Sequence, residues 1–147
     1  MELSCCIWVL TGPEEEVITP IANAGFRCID LQPFVFNPKD IQSRILHLNL
    51  HVSCIAASFG IPEGVALDSE DPSSTAQALA YTKKALEYGN NLGAKVAYLV
   101  PGSDGSPEAH SRYARSFTTL ADLASTLGLK LCIEHFPNTA LFTASGT

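Results

Sequence analysis

The stretch "LGLKLCIEHFPN", residues 127–138, decides how this chain folds. Side chains alternate along an extended segment, so Leu129, Leu131 and Ile133 fall on one face and Lys130, Cys132 and Glu134 on the other. A strand covered by helices on both sides reads as a nearly continuous apolar run. One fully apolar face and one mixed face instead describes the wall of a barrel, apolar toward an outer ring of helices and mixed toward the inside. The second strand-like run repeats this, with Ile29 and Leu31 opposing Cys28, Asp30 and Gln32. The stretch also ends in a lone carboxylate, Glu134, with His135, Pro137 and Asn138 beyond it.

Working outward, the pattern recurs. "AGFRCIDLQP" (24–33), "LNLHVSCIAASFG" (48–60), "LGAKVAYLVPG" (92–102) and the opening stretch each run through apolar or β-branched residues into a polar, Gly- or Pro-containing loop. Their starts are 24, 44 and 35 residues apart, the size of a βα unit of about 30 residues or more. With "LSCCIWVL" (3–10) as the opening strand, strands are expected near 3–9, 26–31, 51–57, 95–100 and 129–134.

The segments between read as helices. Pro13 before Glu14, Glu15 and Glu16 suits a helix start, since proline loses no hydrogen bond there and acids favour the positive end of the dipole. Gly25 closes that helix, and Pro20 inside it is expected to bend or shorten it. Asn37-Pro38 starts a second helix running to about Leu48. A third spans about Ser73 to Leu92, and a fourth runs from Ser106-Pro107 to Leu127 with apolar positions at Tyr113, Phe117, Leu120, Leu123, Ala124 and Leu127. Strict β-α alternation predicts parallel strands with right-handed crossovers in an α/β domain over residues 1–147. A doubly wound sheet and a (β/α) barrel both satisfy the alternation. The first loop, "TGPEEE", has no G-x-G-x-x-G, which weakens the dinucleotide-binding form of the former.

Composition narrows the functional classes. The net charge is −6 and no basic run is present, so nothing marks a nucleic-acid or anionic-membrane partner. No segment approaches the roughly 18 apolar residues of a membrane span, and the first apolar run lacks a basic leader, which makes a cytoplasmic protein the default expectation. The five cysteines, at 5, 6, 28, 54 and 132, lie in strand-like runs without a C-x-x-C. Cys6, Cys28, Cys54 and Cys132 are therefore expected to be buried, reduced and unbridged.

The carboxyl ends of barrel strands carry the chemistry. A carboxylate there, as Glu134 is expected to be, can hold a divalent ion, move a proton, or simply sit solvated at the rim. "ANAGFRCIDL", then "LGAKVAYLVPG", then "FTTLADLASTLGLKLCIEHFPN" resembles the xylose isomerase-like TIM barrels, which include sugar isomerases, sugar-phosphate epimerases, inosose dehydratases and hydroxypyruvate isomerases. The resemblance covers the chain from first strand to fifth and is most specific in the A-x-x-x-G-[LIV]-x-[LIV]-x-[LIV]-E run at 124–134. It implies that Glu134 is one of four ligands to a catalytic divalent metal (Mn, Mg, Co or Zn). The other three, typically Asp, His or Gln, and Glu, would come from strands six to eight. It further implies a barrel truncated after its fifth strand, about the first five βα units. The full-length parent would be a metal-dependent isomerase or epimerase of a small sugar or ketose, working by proton transfer next to a carbonyl. The chain as given would be an inactive fragment, aggregation-prone, dimeric or loosely packed; the other reading is a genuine short half-barrel, a homo-oligomer that dimerises through its open sheet edges. The alternative is a non-catalytic relative that binds a polyol or packs with a partner. The endonuclease branch of the same barrel is disfavoured by the acidic charge and by "AASFG", which has no histidine at the end of strand three.

Other candidates at the mouth are Trp8, near the end of strand one, to stack on a sugar ring or pack in the core; Asp30 and Gln32, ending strand two; and Ser58, ending strand three. Asp30 is read either as a pocket acid or as half of an ion pair with Arg27 or Lys95. "PGSDGSP" (101–107) is either a hydroxyl- or phosphate-adjacent loop or a flexible connection, and it lacks the lysine of a P-loop. His135 points away from Glu134 and, like His47, His51 and His110, is assigned no site role.

Overall fold

A computed structural model describes residues 3–10, 12, 14–135 and 139–141. The strands are β1 (Ser4–Cys6), β2 (Cys28–Leu31), β3 (His51–Ala56), β4 (Val96–Leu99) and β5 (Lys130–Ile133). The helices are α1 (Glu14–Asn23), α2 (Pro38–His47), α3 (Pro72–Asn91) and α4 (Pro107–Thr126). The five strands form one sheet in the order β1-β2-β3-β4-β5, and every neighbouring pair is parallel. That order separates the two architectures that alternation left open. A doubly wound sheet reverses direction at a switch point, whereas a barrel wall adds its strands in sequence.

Local chemistry repeats with each unit. Three helices start on a polar cap followed by proline: Asn37-Pro38, Asp71-Pro72 and Ser106-Pro107. Each cap side chain accepts a backbone N–H of the first turn, as Asp71 does from Ser73 and Ser74. The exits match too. After α1, α2, α3 and α4 the chain turns through a left-handed residue, Gly25, Asn49, Gly93 and Gly128 respectively. The next residue then donates back into the helix: Phe26 to Ile21, Leu50 to Ile45, Ala94 to Gly89 and Leu129 to Ala124, at 2.9–3.3 Å. This closure satisfies carbonyls left free at a helix end and aims the chain into the next strand. Pro20 is exposed and α1 continues through it to Asn23.

The core lies between the outer face of the sheet and the helices. Ile29, Leu31, Ile55, Ala97 and Leu99 are fully buried there, with Ile18, Ile41, Ala78, Leu86 and Leu120 from the helices. Gly89 lets α3 approach β3, because a Cβ there would lie 2.7 Å from Cγ2 of Ile55.

Two expectations need correction. The first strand was expected over 3–9 but ends at Cys6, because Ile7–Val9 curl into a 3-10 turn that buries Ile7 and carries Trp8 off the strand. All five cysteines are free, as expected, but only Cys28 is buried. Cys6, Cys54 and Cys132 are half-buried because they line the inner face, which the helices do not cover.

Candidate functional site

Glu134 stands one residue beyond β5, where its N–H donates to the Leu99 carbonyl at 2.9 Å and continues the β4–β5 pairing. Its side chain is half-buried, and among the described residues the buried Oε2 has no hydrogen-bond partner. A buried carboxylate oxygen without a donor is costly, so the position is one that a cation or a proton donor would relieve.

On the neighbouring strands, Tyr98, Cys54 and Cys6 share this face. Burial, then the Glu134 charge, pushes the Tyr98 phenol far above its usual range, with further contributions from Cys54, Cys6 and Asp30. Burial, then Asp30 and Cys132, pushes the Cys54 thiol up to about 12. Cys6 is also raised, by burial and then by Asp30. The inner face thus combines two carboxylates with thiols and a phenol that stay protonated at neutral pH. Protonated thiols are poor metal ligands and the Asp30 carboxylate is engaged by Ser4, Ser53 and Cys6, so Glu134 is the hard oxygen donor this face leaves for a divalent ion. Among the described residues no three His, Cys, Asp or Glu side chains converge on a common point. The residues present fit such an ion as one donor of a larger set.

The other predicted residues separate. Among the described residues Asp30 pairs with no basic side chain: its Oδ1 accepts from Ser4 Oγ and Ser53 Oγ, both at 2.6 Å, and its Oδ2 from the Cys6 thiol at 3.7 Å. This network ties β1, β2 and β3 together. Ser58 Oγ accepts the Val100 N–H at 2.9 Å and joins the ends of β3 and β4. Gln32 and Trp8 line one small cavity with Val35 and Phe36. Trp8 also packs edge-on to Phe59, ring centres 5.7 Å apart, and lies 6.5 Å from Tyr98. Phe59 and Tyr98 are 6.0 Å apart, so three aromatic rings from three different units form one cluster beside the Glu134 end of the sheet. The sequence reading named Trp8 alone. The available signal for Tyr98 was its alternation with buried Ala97 and Leu99. His135 is exposed, with Nδ1 3.0 Å from the Leu141 carbonyl oxygen, and Asn138 lies outside the described residues.

The "PGSDGSP" loop caps α4, Ser106 Oγ accepting the Ala109 N–H at 3.1 Å. Asp104 Oδ1 accepts the Ser106 N–H at 2.9 Å, which holds its carboxyl below the usual range, with Arg112 a smaller influence 3.9 Å away. No helix among the described residues is long and apolar enough to cross a membrane.

A family profile described as "Xylose isomerase-like TIM barrel" matches residues 18–145. No curated protein matches. Among solved structures, a D-allulose 3-epimerase from Methylomonas sp. superposes with a TM-score of 0.81 at 19% identity, over 95% of this chain and 53% of its own. An L-ribulose 3-epimerase gives 0.79 at 18%, over 95% and 51%. The IolI protein with a bound zinc atom gives 0.79 at 15%, over 99% and 56%. The chain spans about half the length of these structures.

Proposed function

This chain belongs to the xylose isomerase-like TIM barrel family, and on that premise we propose that it forms the first five βα units of a divalent-metal-dependent epimerase or isomerase acting on a small ketose. The observation that carries the reading is the buried, unpartnered Oε2 of Glu134 at the carboxyl end of β5, the end of the sheet where barrels of this kind place their chemistry. The neighbouring 3-epimerase structures support the substrate class.

Glu134 would contribute one oxygen to the ion, Mn²⁺, Mg²⁺, Co²⁺ or Zn²⁺, with the remaining donors supplied by polypeptide outside this chain. The metal, when bound, polarises the substrate carbonyl and hydroxyl oxygens so that the adjacent C–H loses its proton more readily. The aromatic cluster of Trp8, Phe59 and Tyr98 would flank the carbon chain of the sugar and shield the reacting carbon from water. The isolated chain, with one hard donor, should bind the ion weakly and turn nothing over.

The test compares wild type and Glu134→Gln in the longest natural polypeptide that contains this chain. Metal content and turnover on a panel of ketoses are measured together. Loss of both with an unchanged fold supports the assignment. Full metal occupancy and full turnover in the variant would refute it. A wild-type protein that binds polyols but turns over no ketose would favour the non-catalytic alternative.

A further inference from the structure

Two tyrosines on the same face of α3, Tyr81 and Tyr88, reach the loops that leave the carboxyl ends of β2 and β3. The Tyr81 hydroxyl donates to the Phe59 carbonyl at 2.7 Å, in the turn after β3. The Tyr88 hydroxyl donates to the Phe36 carbonyl at 3.2 Å, in the loop after β2. Burial raises the Tyr81 phenol above its usual range, so it stays a donor at neutral pH. The turn has room for it only because of Gly60, whose φ is +82° and where a Cβ would lie 2.5 Å from the Tyr81 oxygen.

Phe34 joins the two loops. Its φ is +61°, a conformation that a bulky side chain seldom adopts. Such backbone persists where its surroundings over-determine it, and it gathers where a site needs a fixed shape. Here the Phe34 ring stands edge-on to both tyrosines, with centres 5.4 Å from Tyr81 and 5.3 Å from Tyr88. The turn that Tyr81 holds carries Phe59, whose ring centre is 5.7 Å from Trp8 and 6.0 Å from Tyr98. The loop that Tyr88 holds carries Phe36, which lines the small cavity beside Trp8 and Gln32. From outside the sheet, α3 thus grips the backbone of both loops that shape the aromatic wall. All of these contacts are made within β1 to β4 and the segments between them.

We propose that Tyr81 is a positioning residue: by holding the Phe59 carbonyl it fixes the Phe59 ring against Trp8 and Tyr98, and so sets the wall along which the carbon chain of a ketose would lie. Tyr81 acts through Phe59 and touches no substrate. The consequence for the sugar rests on the proposed function, whereas the placement of Phe59 does not. Without the hydroxyl the turn keeps its glycine but loses its anchor, and the Phe59 ring can swing away from Trp8.

Trp8 is the sole tryptophan among the 147 residues, so its fluorescence reads the cluster directly. Tyr81→Phe keeps the ring beside Phe34 and removes only the hydroxyl. Acrylamide quenching of Trp8 should rise about twofold in that variant, as a turn that loses its anchor opens locally. In a Phe59→Leu background the same change should add nothing, because the two residues act through one contact. Ile45→Val, which removes one methyl from the core side of α2, should lower the urea midpoint and leave the quenching alone. In the longest natural polypeptide that contains this chain, Tyr81→Phe should raise KM for the preferred ketose about three- to tenfold, the range for one hydrogen bond, with kcat little changed. A role in stability alone would lower the folded fraction, and with it the apparent kcat, at constant KM. Quenching that is unchanged, or that rises equally with and without Phe59, overturns the positioning of Phe59. Raised quenching with an unchanged KM in an active enzyme overturns the consequence for the sugar. Absence of turnover in the wild type, with quenching raised as expected, overturns the ketose reading and upholds the positioning.

Discussion

Ile29, Leu31, Ile55, Ala97 and Leu99 are completely shielded on the outer face of the sheet, while Asp30, Cys54, Tyr98, Cys132 and Glu134 on the inner face are each only half-buried. The same strands supply both sets by simple alternation. The outer set is aliphatic, packs on four helices and contributes stability through apolar area removed from water. The inner set is polar or polarisable, is joined by hydroxyl–carboxylate and thiol–carboxylate contacts, and ends in a carboxylate oxygen with no partner. One face therefore carries the fold and the other, under the proposed function, would carry the chemistry, and substitutions on the two should then separate stability from activity.

The largest expected effect is on activity alone. Under the proposed function, Glu134→Gln in the longest natural polypeptide that contains this chain should lower ketose turnover by about a hundredfold or more, since it would remove an anionic metal oxygen and a proton-handling group. In the isolated chain the same change should leave the urea midpoint unchanged or raise it, because the buried oxygen it alters makes no hydrogen bond to lose among the described residues. A clear drop in the midpoint would mean that Glu134 belongs to the structural face, and the contrast would fail.

Next comes the opposite case. Leu86 on α3 is fully buried, and Leu86→Ala should cost about 2–5 kcal/mol by urea denaturation, the usual range for a core leucine. Cys132→Ala, on the inner face, should stay within about 0.5 kcal/mol of wild type. Equal losses at the two positions would show that the inner face is packed as tightly as the outer one.

A smaller effect tests how closely the helices sit on the outer face. Gly89→Ala would set its new methyl against Ile55. Overpacking costs about 1–3 kcal/mol, and the helix gains about 1 kcal/mol in propensity over glycine. The net change should be a destabilisation of about 1 kcal/mol, and Ile55→Val in the same chain should recover part of it. A net stabilisation would show that α3 can move off the sheet without penalty.

Much of the outer face was legible from the sequence, because its signals are local. The Leu-Gly exits, the Asn37-Pro38 and Ser106-Pro107 entries and the aliphatic alternation each act within a few residues. Local signals also have limits: α3 starts at Asp71-Pro72 rather than at Ser73, and β1 stops at Cys6, short of Trp8. The inner face was legible at Glu134 and much less elsewhere. Asp30 receives Ser4 and Ser53 across two strand pairings, and the Trp8–Phe59–Tyr98 cluster joins three units. Neither is written in any one segment. The exposure of Cys6, Cys54 and Cys132 depends on what covers the inner face, which strand propensity does not encode.

The smallest effect reads the inner face directly, through its thiols. Cys54 is pushed up to about 12 by burial, then by Asp30 and Cys132, so near pH 8 it should react with iodoacetamide far more slowly in the native chain than in urea. The same shift has a sign for stability. The folded state keeps a proton that the unfolded chain releases above the ordinary value of 9.0. The contribution is therefore full below that pH and declines as pH rises from there toward about 12. Asp30→Asn should speed alkylation of Cys54 and Cys6, because it removes a negative charge that opposes both thiolates. It should also cost about 1 kcal/mol, the exchange of charge-assisted hydrogen bonds from Ser4 and Ser53 for neutral ones. Alkylation of Cys54 that is fast in the wild type, or unchanged by Asp30→Asn, would mean that solvent reaches the thiol and screens Asp30. The inner face would then be an ordinary wet surface, and the contrast with the outer face would reduce to hydrophobicity alone.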